Sequence, residues 1–254
     1  QVLFDSSEKL AESCGYVGVA TAEFLYEPQT EMCTFLEVNS RLQVEHTITE
    51  AIMGIDLVQA QIAIALGWTW EAPTHEPNGH AIELRVNAED PEQDFRPAPG
   101  RVAIFRPPSG PGVRVDSGIT EGSTIPEFFD SMIAKLIIWA PTRELCIARA
   151  RRACLELDAA VEDGATNQAF LLDILRHKEF VDADVRDVVG VWNREVLGYE
   201  NDVALVQMNE QESRIANVKG PLVEIHDGLS LSGQNGLPSV RFDVMAINGL
   251  FKSF

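Results

Sequence analysis

The 254-residue chain has only four cysteines, Cys14, Cys33, Cys146 and Cys154, and their spacing matches no zinc or redox motif. A disulfide framework is excluded. Each thiol is expected to be a small buried hydrophobe, and a cytoplasmic setting is expected, or the mitochondrial matrix if the source is a eukaryote. Basic residues are scarce as well. Twenty Lys and Arg against 39 Asp and Glu leave a formal net charge of -19, which would repel a duplex backbone and sets nucleic acid aside as a partner. No apolar run approaches the roughly eighteen residues of a membrane span, and Ile62 to Leu66, at five residues, is a piece of a helix. No membrane partner is expected. The chain also lacks a Gly-rich phosphate loop of the Gly-x-x-x-x-Gly-Lys-Ser/Thr kind, internal repeats and low-complexity tracts. It opens Gln-Val-Leu-Phe-Asp with no initiator Met and no signal segment, so a piece of a longer polypeptide is expected. What is present is ordinary for a globular protein: 45% hydrophobic and 23% charged residues, enough for one large or two modest cores.

The pattern along the chain predicts a helix from Ser6 to Cys14, stopped by Gly15, and then two strands, Tyr16 to Tyr26 and Met32 to Asn39. Pro28 in the short link makes them an antiparallel hairpin. Thr47 with Glu50 three residues on reads as a capping box for a helix running to Gly67, with Gly54 and Asp56 marking either a kink or a second helix start. Residues 68–78, rich in Trp and Pro, read as a connector. Beyond it come strands at His80 to Asn87, Gly100 to Arg106, Val113 to Val115 and Ser131 to Trp139, with a proline-interrupted loop at Asp90 to Pro99. Helices follow at Arg143 to Leu157, with Leu145, Ala148, Cys154 and Leu157 as its core face, and at Asn167 to Leu175. From Asn201 only short strand-like runs appear, Val203 to Met208, Leu222 to His226 and Val240 to Ile247.

Hairpin pairing symmetric about Thr30 places Glu23 directly opposite Glu37, with Cβ atoms about 5 Å apart, where like charges repel. A divalent cation would offset that repulsion, with Asn39 two residues along the same face as a third oxygen ligand. A solvated pair of glutamates or a slipped register is the alternative. In the same way Glu37, Asn39, Arg41, Gln43, Glu45 and His46 crowd into one short segment. So many polar groups need either a wet cleft with a bound ion or the open edge of a sheet.

The run EVNSRLQVEHTITE, preceded by AEFLYE and followed by GIDLVQAQIAIALG, resembles the biotin carboxylase family of ATP-grasp ligases. GHAIELRVNAEDP, FRPAPGRV and FFDSMIAKLI are similar to successive motifs of that family's C-terminal domain, and the resemblance covers residues 1 to about 190. It implies an α+β fold: a partial ATP-grasp subdomain, an antiparallel sheet with helices, over residues 1–67, the connector 68–78, an α+β biotin carboxylase C-terminal domain over 79–190, and an unassigned tail or start of a further domain over 191–254.

By the resemblance Glu23, Glu37 and Asn39 hold Mg2+ or Mn2+ against ATP, and Arg41, Gln43 and the backbone of Val44 hold bicarbonate. Glu45 is the implied general base in making carboxyphosphate, and Arg41 and Arg85 complete the catalytic set, Arg85 by stabilising the biotin enolate. His46 and Lys135 read as structural, and Asp130 as a contact of Arg85. The implied function is ATP- and bicarbonate-dependent carboxylation of biotin within an acyl-CoA or related carboxylase. Its partners are a biotinylated carrier domain, a carboxyltransferase and, in one form of assembly, a second copy as a homodimer. No Ala-Met-Lys-Met attachment word occurs, and the nucleotide-gripping lid does not lie within these 254 residues, so the fragment alone is expected to be inactive. The alternative is a non-catalytic assembly module of a multi-subunit carboxylase. Another ATP-grasp ligase, such as a carbamoyl-phosphate synthetase, would share the metal segment but lack the second block.

Overall fold

The computed structural model describes residues 2–27, 32–71, 77–182, 206–208, 223–228 and 240–248. The centre of the expected hairpin turn, residues 28–31, and the middle of the connector, 72–76, lie outside them, as does most of the tail beyond 182. The described chain forms two compact units, residues 1–78 with 208–254, and residues 79–207.

In the first unit α1 (Val2–Ser13) is followed by a turn at Gly15, and β1 (Gly18–Glu27) pairs antiparallel with β2 (Met32–Asn39). β1 is buried on both faces: Val19, Thr21 and Glu23 on one side, Ala20, Ala22 and Phe24 on the other. The expected register holds from Thr21↔Asn39 to Glu23↔Glu37 and then shifts, so that Phe24 faces Phe35. A bulge inserts one extra residue into β2 there, which a strict period of two does not anticipate. Phe35 therefore leaves the face of Glu37 and Asn39 and meets Phe24 edge-on, centroids 5.7 Å apart.

The helical stretch divides into α2 (His46–Met53) and α3 (Leu57–Ala65), bent by 103°. Gly54 closes α2 in the left-handed region, at φ 61°, where a Cβ is strained. The Asp56 side chain then caps α3 by accepting from Gln59 N at 2.7 Å. The capping box is corrected: α2 begins at His46 and Thr47 already lies inside it, fully buried. Glu50 reaches forward instead and accepts from Leu57 N at 2.8 Å, tying the two helices together. No single helix among the described residues is long and apolar enough to cross a membrane.

The second unit opens with β3 (His80–Asn87). The Asp90 to Pro99 loop holds a small ladder, β4 (Glu89–Asp90) with β5 (Arg96–Pro97), and β6 (Gly100–Arg106), β7 (Val113–Ser117), β8 (Thr124–Ile125) and β9 (Met132–Ala140) follow. β9 lies between β3 and β7 in one antiparallel sheet and is buried along nearly all its length. α4 (Arg143–Glu156) covers this sheet, β10 (Asp158–Val161) pairs with β6, and α5 (Gln168–Arg176) and α6 (Lys178–Asp182) complete the described body.

The buried face of α4 is Cys146, Ile147, Ala150, Ala153 and Cys154, whereas Leu145 and Ala148 are exposed. Its arginines explain the misreading. Arg149 and Arg151 spread over the helix to bond the carbonyls of Trp139 and Leu175, so charge does not mark one solvent face. Phe170, Leu171, Ile174 and Leu175 of α5 are buried, each such side chain contributing about 1.5–3 kcal/mol.

From the C-terminal stretch, β11 (Val206–Met208) extends the β3 sheet, while β12 (Val223–Gly228) and β13 (Val240–Asn248) continue the first unit's sheet beside β1. All four thiols are free; Cys146 and Cys154 are buried as expected, but Cys14 is exposed just past the end of α1 and Cys33 is half-buried on the edge strand β2. Burial pushes Cys146 up to about 12 and Cys154 to about 11, so both are protonated and inert at neutral pH.

Candidate active site

Glu23 and Glu37 are direct cross-strand partners, one on the buried central strand and one on the exposed edge strand. Their carboxylates converge on one point. The Asn39 amide nitrogen donates to Glu23 Oε1 at 2.7 Å and to Glu37 Oε1 at 3.2 Å, and Gln43 Nε2 donates to the same Glu23 oxygen at 3.3 Å. Two amide donors therefore stand where a cation would neutralise the pair.

The donor set fits a hard divalent ion. Two carboxylates suit magnesium, which keeps several waters and takes its other ligands from phosphates. Gln43 Oε1 adds an oxygen that is buried without a hydrogen-bond partner. No group of three or more His, Cys, Asp or Glu forms a metal cage among the described residues. Glu23 and Glu37 would supply part of such an ion's ligands, with the rest left to water or a bound phosphate.

Residues 40–45 form the bend between β2 and α2. Arg41 is exposed on it, its Nη1 donating only a long 3.4 Å bond to the neighbouring Leu42 carbonyl. Gln43 and Glu45 are buried. Glu45 is the residue before α2, and its side chain makes no capping bond to that helix. His46 lies between the Gln43 carbonyl, 2.7 Å from Nδ1, and Glu50, 3.9 Å from Nε2. Its contacts are those of an orienting group: it fixes the carbonyl of the bend that carries Gln43.

In the second unit Arg85 lies on β3 opposite Lys135 of β9. Glu83, fully buried, approaches both: its Oε1 is 3.4 Å from Arg85 Nε and its Oε2 3.5 Å from Lys135 Nζ. Asn167 anchors the backbone of the same segment. Its Oδ1 accepts from Asn87 N at 2.9 Å and its Nδ2 donates to the Arg85 carbonyl at 3.0 Å. Asp130 is exposed and accepts from Met132 N at 2.8 Å, which shapes the turn into β9. Sequence reasoning missed Glu83 and Asn167. Asn167 stands just before α5 and looks like a helix cap, yet its side chain makes no capping bond because β3 occupies it.

Two family profiles divide the chain between them. Residues 83–188 match the biotin carboxylase C-terminal domain, and residues 1–72 match the ATP-binding domain of the carbamoyl-phosphate synthase L chain. The chain is 42% identical over 182 residues to biotin carboxylase 1 of Bacillus subtilis, covering 71% of this chain and 40% of that protein. It is 42% identical over 179 residues to the biotin carboxylase of a Nostoc species, covering 70% and 39%.

Solved structures agree. The biotin carboxylase–β,γ-ATP complex from Campylobacter jejuni superposes with a TM-score of 0.66 at 35% identity, over 71% of this chain and 40% of that one. The biotin carboxylase domain dimer of Hydrogenobacter thermophilus 2-oxoglutarate carboxylase, in complex with MgADP, ADP and bicarbonate, superposes at 0.63 and 37% identity, over 68% and 38%. The α+β fold with its two successive blocks is similar to that of the solved biotin carboxylases, and the carbamoyl-phosphate synthase profile matches the first block alone. The chain is similar to biotin carboxylases along about 70% of its length, and it spans about 40% of the length of the curated biotin carboxylase from Bacillus subtilis.

Proposed function

We propose that the chain is the metal- and bicarbonate-handling part of a biotin carboxylase, which carboxylates biotin at the expense of ATP by way of carboxyphosphate. The convergence of Glu23 and Glu37 on a single point, with Asn39 and Gln43 around it, carries this reading. Mg2+ or Mn2+ held there supplies neutralisation of the phosphate charge that develops during transfer.

The chain's own groups do the rest. Asn39 and Gln43 orient the carboxylates, and Arg41, on the exposed bend, swings onto bicarbonate as a planar partner for a planar anion. Gln43 and the Val44 backbone hold the anion's other oxygens. Glu45 takes its proton as the freed oxygen attacks the γ-phosphate and the bond to ADP breaks; the carboxyphosphate formed releases CO2, and the phosphate left behind takes the ureido proton of biotin. Arg85 offers positive charge to the ureido oxygen of biotin when that ring is deprotonated.

A biotinylated carrier, a carboxyltransferase and a second copy are the partners that go with this activity, and a cytoplasmic or matrix location accommodates it. A pure assembly module would have no use for a buried Glu23 opposed to Glu37. The test is phosphate release by the intact longer protein. It is expected to depend on bicarbonate and Mg2+, with the isolated 254 residues giving none. Turnover by those residues alone, or turnover of the intact protein that ignores bicarbonate, contradicts the reading.

A further inference from the structure

Arg85 and Lys135 face each other across β3 and β9, two cations in one row of a buried sheet. Side chains so opposed sit about 5 Å apart at Cβ, and like charges there repel. The row continues to Asp116 on β7, but that carboxylate is engaged by Arg114 through two bonds of 2.8 Å. Glu83, two residues before Arg85 on the same face, approaches both cations, one oxygen toward each. It is 1% exposed, against 10% for Lys135 and 19% for Arg85, so it is the innermost member of the set. A carboxylate at that depth is tolerable only when paired, and the pairing is divided evenly, at 3.4 and 3.5 Å. Asn167 meanwhile fixes the main chain at Arg85 and Asn87.

We propose that Glu83 is a positioning residue that holds the Arg85 guanidinium in place against repulsion from Lys135. The proposal rests on the biotin carboxylase reading, in which Arg85 meets the ureido oxygen. Without Glu83 the two cations push apart, and a displacement of about 1 Å at a reacting centre can cost up to about 100-fold in rate. Loss of charge balance, rather than loss of packing, is the cause, and this gives the variants a distinctive order.

The test uses the intact longer protein with free biotin, ATP, Mg2+ and bicarbonate. Glu83→Gln is expected to lower kcat for biotin carboxylation at least tenfold while leaving the KM for MgATP within about twofold. The double variant Glu83→Gln with Lys135→Met, from which the opposing cation is gone, is expected to recover to within about threefold of wild type. A Glu83→Gln protein with unchanged kcat, or a double variant as slow as or slower than the single one, overturns the proposal. Should Glu83→Gln not fold, the nitrogen-15 spectrum of wild-type arginines decides. One Nε–H resonance, absent from Arg85→Lys, is expected to persist at pH 8, and rapid exchange of that proton counts against the clamp. An intact wild-type protein that carboxylates no biotin refutes the functional reading and the proposal with it. An active wild type with an indifferent Glu83→Gln refutes the proposal alone.

Discussion

Glu45→Gln in the intact longer protein is expected to reduce bicarbonate-dependent phosphate release about a thousandfold, in the middle of the roughly 10²–10⁴ range for loss of a general base or acid. The position of Glu45 supports the size of the effect. It is buried immediately before α2, on the bend that also carries Gln43. Glutamine keeps the shape and removes only the ability to take a proton. The thermal midpoint should therefore stay within a few degrees of wild type. A variant that retains more than a tenth of wild-type turnover would remove Glu45 from the chemistry.

The second large effect is at the opposed glutamates, and it is asymmetric. Glu23 sits on the central strand, 3% exposed, and accepts from both Asn39 and Gln43, while Glu37 is on the edge strand and exposed. A buried, doubly oriented carboxylate is preorganised for an ion in a way that an exposed one is not. Glu23→Gln is expected to lower turnover at least 100-fold at millimolar Mg2+ and to weaken Mn2+ binding, read by electron paramagnetic resonance, by an order of magnitude or more. Such losses are of the size that removal of a charge-stabilising group produces. Glu37→Gln should lose less on both counts, and partial rescue by raised metal concentration should be greater for it. Equal effects at the two positions, or Mn2+ binding indifferent to both, would dissociate the pair from the metal.

Much of this arrangement is legible from residue pattern alone. β2, β3 and β6 match their sequence reading end for end, because turn residues and a clean change of period bound them. The Glu23–Glu37 opposition follows from the hairpin. Where the reading departs from the structure, the cause is a contact that no local pattern encodes. The bulge that turns Phe35 toward Phe24 adds a residue to one strand only. Glu50 leaves the cap suggested by Thr47 for an amide at the start of the next helix. The carbonyl bonds made by Arg149 and Arg151 conceal which face of α4 is buried.

Glu83 and Asn167 are the plainest cases. Glu83 reads as one polar residue of an alternating strand, and only the opposition of Arg85 to Lys135 gives it a role. Asn167 acts on residues 80 or more positions earlier in the chain. The roles of Arg41, Val44 and Arg85 toward ligands rest on the family resemblance, since strand alternation says which face a side chain takes and nothing of what binds there.

Whether this site belongs to a protein that fixes bicarbonate onto biotin can be read from a single labelling experiment. The intact longer protein is incubated with carbon-14 bicarbonate, ATP, Mg2+ and free biotin, and acid-labile label on biotin is counted against phosphate released. Label on biotin that requires ATP and disappears in Glu45→Gln is the predicted result. Phosphate release with no label on biotin, or label transferred to ammonia in its place, would contradict it.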